Sequence, residues 1–230
     1  MHSAYVERFL ALLRPEPAWT VLDVGAGPGT LAVPLARMVR AVTAVDFSAR
    51  MLEALDEEAA REGVANIRTL QAAWEDDWQA HGIEPHEVAV ASRSLSVDDL
   101  QAALLKLDRW ATRRVVLSDR VGSGPFDPEL FAAVGRDFQP GPDYIYTVNL
   151  LYQLGIHARV DFIDLERCRN FQSREEALAS CRWMLEPMCS DEERKLTAYL
   201  ETRLTRQDDG SWSLCRRTPV RWAVIQWDKE

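Results

Sequence analysis

The chain has 230 residues, 47% of them hydrophobic and 27% charged, which suits one soluble domain with a sizeable core. Its net charge of −9 argues against nucleic acid as a partner, because phosphate binding needs a concentrated Lys/Arg surface; the pairs Arg113-Arg114 and Arg216-Arg217 read as solvated faces. Cys168, Cys181, Cys189 and Cys215 form no C-x-x-C pair and accompany only four histidines, so no metal site and no disulfide framework is expected, but reduced and mostly buried thiols.

The first segment, "MHSAYVERFLALLRPEP", carries Glu7 and Arg8 and predicts an amphipathic helix over residues 3–13 with Tyr5, Phe9, Leu12 and Leu13 on one face. With no apolar run near the roughly 18 residues that cross a bilayer, no membrane partner is expected and a cytoplasmic location is. A strand, "TVLDV", then enters a glycine turn. A helical pattern follows from Thr30 through Leu31, Leu35, Ala36 and Val39, with Pro34 in its first turn. "AVTAVDF" is the second strand, and Ser48 caps a helix, "ARMLEALDEEAARE", that Gly63 stops. "NIRTLQA" and "EVAVAS" are strands three and four around a polar loop, and "DDLQAALLKLDRWA" leads as a helix to the strand "RRVVLSD". This alternation predicts an α/β, doubly wound parallel sheet.

Beyond Asp119 the rhythm changes. "DPELFAAVGRDF" and "YIYTVNLLYQLGI" are helical around the breaker "QPGPD", "ARVDFIDLE" is a sixth strand, and helices follow at 173–186 and 190–206. The turn "QDDGS" opens "WSLCRRTPVRWAVIQW", whose alternation predicts an antiparallel hairpin at the sheet edge. The expected organisation is a single domain over 1–230, with residues 1–120 binding a cofactor and residues 121–230 covering the substrate.

The stretch "VLDVGAGPGTLAVPLA" sets the chemistry. Ligands of open α/β sheets sit beyond the carboxyl ends of the strands, commonly at the first strand-helix turn. A dinucleotide fingerprint, G-x-G-x-x-G, fits Gly25 and Gly27 but fails at Thr30, and a P-loop fails for want of G-K-[ST]. Pro28 removes a backbone donor that a pyrophosphate would use, and Asp23 would repel one. An acid there suits a cationic ligand, and S-adenosylmethionine, with an ammonium and a sulfonium, is one. Asp46 closes the second strand 23 residues later, placed to accept hydrogen bonds from ribose hydroxyls.

"VLDVGAGPGTLAVPLA", "VDFSARML" and "IRTLQAAWED" together resemble the first three motifs of the class I S-adenosylmethionine-dependent methyltransferases, closest to the small-molecule branch with a D-x-G-x-G-x-G turn. The resemblance spans residues 20–120. It implies a Rossmann-like seven-stranded sheet of order 3-2-1-4-5-7-6 with the last strand antiparallel, and S-adenosylmethionine as cofactor. It also implies that Asp23, Gly25, Ala26, Gly27 and Gly29 line the methionine end, that Asp46 takes the ribose, and that Phe47 and Met51 flank the adenine. Where the family carries an acid and a small residue after the third strand, this chain has Ala73 and Trp74; Glu75 swinging in, or Trp74 stacking on the ring, are the two substitutes.

Methyl transfer from a sulfonium is a direct displacement, so positioning and exclusion of water dominate, and a general base is needed only for an acceptor that must lose a proton. The fourth strand ends in "ASRSLSV". It lacks the [N/D]-P-P-[Y/F/W] run of nitrogen methylators and the Pro-Cys pair of cytosine-carbon enzymes, and it places Ala91 and Ser92 where metal-dependent catechol enzymes carry a carboxylate. The expected acceptor is a small molecule; a protein or RNA acceptor, or a non-catalytic cofactor-binding module, are the rivals. Arg93 either pairs with an acidic substrate or serves a surface or capping role. Tyr144, Tyr146 and Tyr152 either cover the acceptor or pack on the sheet, and His157 is either a base or a histidine satisfied by backbone.

Overall fold

Residues 3–229 are described by a computed structural model; Met1, His2 and Glu230 lie outside the described residues. The Ser3 hydroxyl accepts the Val6 N–H and so starts helix α1 (Ala4–Leu13), which buries Tyr5, Val6, Phe9 and Leu13. Strand β1 (Thr20–Val24) is buried from Val21 onward, as a strand covered on both faces must be. Helix α2 (Ala32–Ala36) is shorter than the pattern up to Val39 suggested. The Met38 N–H reaches back only three residues to Leu35, a tight turn that closes the helix early.

Strand β2 (Ala41–Asp46) leads to α3 (Ala49–Arg61), whose Met51 N–H is taken by the Ser48 hydroxyl. Strands β3 (Ile67–Gln71) and β4 (His86–Ser92), helix α4 (Leu100–Trp110) and strand β5 (Ala111–Arg120) complete the expected alternation. Next come α5 (Pro128–Val134), α6 (Tyr144–Gln153), β6 (Arg159–Asp164), β7 (Cys168–Phe171), α7 (Arg174–Arg182), α8 (Ser190–Arg203), β8 (Thr205–Arg206), β9 (Trp212–Cys215) and β10 (Arg221–Asp228).

Seven strands form one sheet in the order β3-β2-β1-β4-β5-β10-β6. Counted within the sheet, that is the expected 3-2-1-4-5-7-6. Strands β1 to β5 are parallel, whereas the Val121 N–H bonds to the Arg221 carbonyl and the Lys229 N–H to that of Arg113, so β10 runs antiparallel to β5. Among the described residues no helix is long and apolar enough to cross a membrane, and no group of three metal-ligating side chains occurs.

The chain divides into two compact units. One comprises the described residues through Asp119, then Asp143–Ile163 and the chain from Trp222 onward; it holds the large sheet, with α2 and α3 against β2 and β3 and with α4 against β4 and α6. The other comprises Arg120–Pro142 and Asp164–Arg221. Its core gathers Leu130, Val134, Phe171, Leu185, Leu196 and Leu200.

Several expectations fail in this second unit. The alternating stretch 212–227 does not form a hairpin with itself: β9 joins β7 and β8 in a separate three-stranded antiparallel sheet, while β10 goes to the large one. Strands β7 and β8 had no periodic signal of their own. Pairing of β7 with β9 sets Cys168 opposite Cys215 at a Cα separation of 3.9 Å, and the two form a disulfide, contrary to the expectation of four free thiols. Cys181 is free and buried, and Cys189 is free and exposed. Arg216, read as solvated, is only 9% exposed; it faces Asp127 and donates to the carbonyls of Pro125 and Phe126, because an arginine has enough donors to close a loop from inside.

Candidate active site

Strand order reverses between β1 and its two neighbours, β2 on one side and β4 on the other, and the carboxyl end of the strand at such a reversal is where open α/β sheets bind ligands. The glycine turn occupies that position. The Gly25 and Ala26 N–H groups both donate to the Val45 carbonyl, at 2.8 and 3.0 Å, and the Gly27 N–H donates to Asp46 Oδ2 at 2.8 Å. Pro28 has no N–H, and that of Gly29 returns to Ala26. Every donor of residues 25–29 is therefore committed within the turn and to β2, and none is left to cradle a phosphate.

Two glycines show why side chains are excluded. Gly25 stands at φ +71°, and a Cβ there would overlap the Cβ of Ser94, which closes over the turn from β4. Gly27 stands at φ +54°, and a Cβ there would meet nothing within 4 Å. The first glycine is demanded by packing; the second faces open space, as a backbone does where something else approaches it closely.

Asp23, at the end of β1, is 1% exposed, and its Oδ2 has no hydrogen-bond partner. Burial, reinforced by the negative charge of Asp46, pushes its pKa up to about 7. Against the usual carboxyl value of 3.8, that is a difference on the order of 4 kcal/mol between protonation states, large beside a typical folding stability of about 5–15 kcal/mol. Asp46 differs in kind. It is 6% exposed, and its two oxygens accept the N–H groups of Gly27 and Ser48, so it ties the glycine turn to the start of α3. Each oxygen keeps one further lone pair.

Beside the turn, Phe47 is 74% and Met51 43% exposed, large apolar side chains left in solvent. After β3, the Ala73 N–H is taken by Asp76 and its carbonyl by the Trp78 indole. The Trp74 indole donates to the Ser94 carbonyl at 3.1 Å, so this ring braces the end of β4, and Glu75 stays exposed. Asp76 thus serves the backbone of this turn, a role the spacing did not signal.

The substrate candidates separate. Arg93 lies at the carboxyl end of β4, next to Ser94. Tyr144 starts α6 and meets Phe162 edge-on at 5.5 Å, and Tyr146 is 62% exposed one residue pair further along. Tyr152 and His157 contact each other at 5.7 Å just before β6, at the amino ends of the parallel strands, where His157 lines a cavity of about 210 Å³ with Arg14, Arg114 and Asp228. The sheet thus separates those two from the glycine turn. Tyr5 joins the site without a sequence signal: it lies on the buried stripe of α1, yet its hydroxyl reaches Ser92 at 2.7 Å and Ser118 at 2.6 Å, at the carboxyl ends of β4 and β5. Nothing in the helical pattern distinguishes it from Phe9.

Residues 21–113 match the family model described as "Methyltransferase domain". The chain is 34% identical over 227 residues, 98% of its length and 82% of the relative's, to an uncharacterized protein of Haemophilus influenzae. A shorter stretch, 72 residues at 40% identity, matches 16% of a 23S rRNA (uracil(1939)-C(5))-methyltransferase of Pseudomonas fluorescens. Among solved structures, an S-adenosylmethionine-dependent methyltransferase of Geobacter sulfurreducens in complex with S-adenosyl-L-homocysteine covers all of this chain and 94% of its own, at a TM-score of 0.58 and 15% identity. At that identity the likeness is one of fold.

Proposed function

We propose that this chain, whose residues 21–113 match a methyltransferase domain and whose fold is that of S-adenosylmethionine-dependent methyltransferases, moves the methyl group of that cofactor to a small-molecule acceptor. The observation that carries this reading is the buried, partnerless Oδ2 of Asp23 beside a glycine turn with no donor left over: a site suited to a cation and unsuited to a phosphate. The cofactor supplies an electrophilic methyl group when bound.

The residues fit such a ligand. Asp23 would neutralise its ammonium, Gly27 would let it lie against the backbone of the turn that Gly25, Ala26 and Gly29 complete, and the spare lone pairs of Asp46 would accept its hydroxyls. Phe47 and Met51 would regain cover from an adenine ring, with Ala73 and Trp74 forming the floor at the end of β3. Ser94, fixed by its bond to the Val24 carbonyl at 2.7 Å, holds the end of β4 in place, so that an acceptor meets a rigid edge. Positioning carries the chemistry in this reading, and no histidine base is assigned.

A net charge of −9 supports a small acceptor over RNA, and the rRNA enzyme it partly matches shares only a short stretch with it. A cytoplasmic setting goes with this reading. The test is incubation of the full chain with S-adenosylmethionine and pooled metabolite fractions. S-adenosylhomocysteine release that depends on one fraction is expected; none over any fraction, with cofactor bound, would leave a non-catalytic module.

A further inference from the structure

We propose that Arg93 is the residue that holds the acceptor, and that the acceptor is a small molecule bearing a carboxylate. The inference rests on the methyltransferase reading above and names the substrate class of that site.

Arg93 takes the left-handed conformation, at φ 59°, a region costly to a residue with a Cβ. Hydrogen bonds of the segment to its neighbours hold it there. Its own N–H donates to Ser118 Oγ at 3.0 Å, the Tyr5 hydroxyl grips Ser92 on one side, and on the other Ser94 is pinned to Val24 and to the Trp74 indole. The segment 92–94 is thus anchored to α1, β1, β5 and the turn after β3, all to present one arginine.

The side chain is also prepared. Its guanidinium lies over the Tyr5 ring, 4.4 Å from the centroid, with the Trp222 ring 5.8 Å away. Tyr5 is itself fixed through its hydroxyl to Ser92 and Ser118. A guanidinium stacked on aromatic rings keeps its N–H edge free, and that edge is a fork matching the two oxygens of a carboxylate. Arg93 is exposed, and no carboxylate among the described residues pairs with it. An unpaired, seated cation at the acceptor edge of an acidic protein calls for an anion from outside. One guanidinium balances a monoanion; a dianionic phosphate would remain undercompensated.

The test uses ¹⁵N-labelled full chain and reads the arginine Nε–Hε resonances, that of Arg93 being the one lost in Arg93→Gln. Benzoate, phenylphosphate and the neutral benzamide are titrated with and without saturating S-adenosylhomocysteine, against sodium chloride of equal ionic strength. Benzoate is expected to move the Arg93 resonance saturably and benzamide not at all. Affinity for benzoate should fall at least about tenfold in Arg93→Gln and substantially in Arg93→Lys, which keeps the charge but loses the fork. A benzoate response no larger than that of chloride, or tighter binding of phenylphosphate, would overturn the proposal. Calorimetry with S-adenosylhomocysteine on the same samples separates the two readings. Wild type and Arg93→Gln binding it alike while benzoate fails removes only the role of Arg93; wild type failing to bind it removes the methyltransferase reading, and the cofactor-free arms still score Arg93.

Discussion

The two edges of the large sheet treat charge in opposite ways. At the amino ends of the strands, ionic groups are spent on each other: Arg114 on Asp228 at 2.6 Å, Arg159 on Asp161 at 2.9 Å, Lys229 on Asp108, and Glu87 on Arg40 and on the Thr20 N–H. At the carboxyl ends, Asp23 keeps a bare oxygen in the interior and Arg93 a free guanidinium at the surface. The amino edge does hold one unspent group, the buried Trp19 indole N–H, but that is a neutral donor. Burying a charge without a partner costs far more, and an edge that retains one is built for something other than stability.

The largest effect is expected at Asp46. Asp46→Ala removes two bonds to a buried carboxylate, Gly27 to Oδ2 and Ser48 to Oδ1, so a loss on the order of 3 kcal/mol in folding stability is expected by urea titration. S-adenosylhomocysteine binding should weaken about tenfold or more. Equal affinity in a folded variant would make Asp46 a purely structural tie.

The next largest is expected at Asp23. Its carboxyl titrates near 7 in the folded chain and near 3.8 when unfolded, so folding holds a proton between those values that the unfolded chain has released. The stability this lends is full below pH 3.8 and is lost as pH rises through about 7. Asp23→Asn should therefore melt higher than wild type at pH 8 and show a flatter pH dependence, while binding the cofactor more weakly. A variant that melts lower at pH 8 would mean that the carboxylate has a partner.

The smallest effect belongs to the opposite edge. His157→Ala and Arg159→Ala remove exposed groups, with stability changes of about 0.5 kcal/mol and cofactor affinity within about twofold of wild type by calorimetry. A tenfold loss in His157→Ala would move the site to that end of the sheet.

The half of the fold that repeats strand and helix was legible because buried parallel strands write continuous apolar runs and because Ser48 and Gly63 mark helix ends chemically. The three-stranded sheet was not. Its strands are two to four residues long, and β7, "CRNF", carries one buried side chain, too few for any period to show. The same limit hid the disulfide, since Cys168 and Cys215 are 47 residues apart and meet only through that pairing. At the site, Asp23 and Asp46 were visible as acids ending strands, but their difference was not: which carboxylate keeps a bare oxygen depends on where the N–H groups of Gly27 and Ser48 point. Tyr5 and Ser94 became site residues only through long-range contacts, to Ser118 and to Gly25.

The central claim, that the carboxyl edge holds an unspent negative charge for a cationic cofactor, is tested most directly by calorimetric titration of S-adenosylhomocysteine into the full chain from pH 6 to pH 8. The expected result is binding that strengthens as pH rises through about 7, with proton release near the midpoint, and an Asp23→Asn variant that binds weakly and without that pH dependence. Absence of heat at millimolar ligand, or an affinity unchanged by both pH and Asp23→Asn, would contradict it.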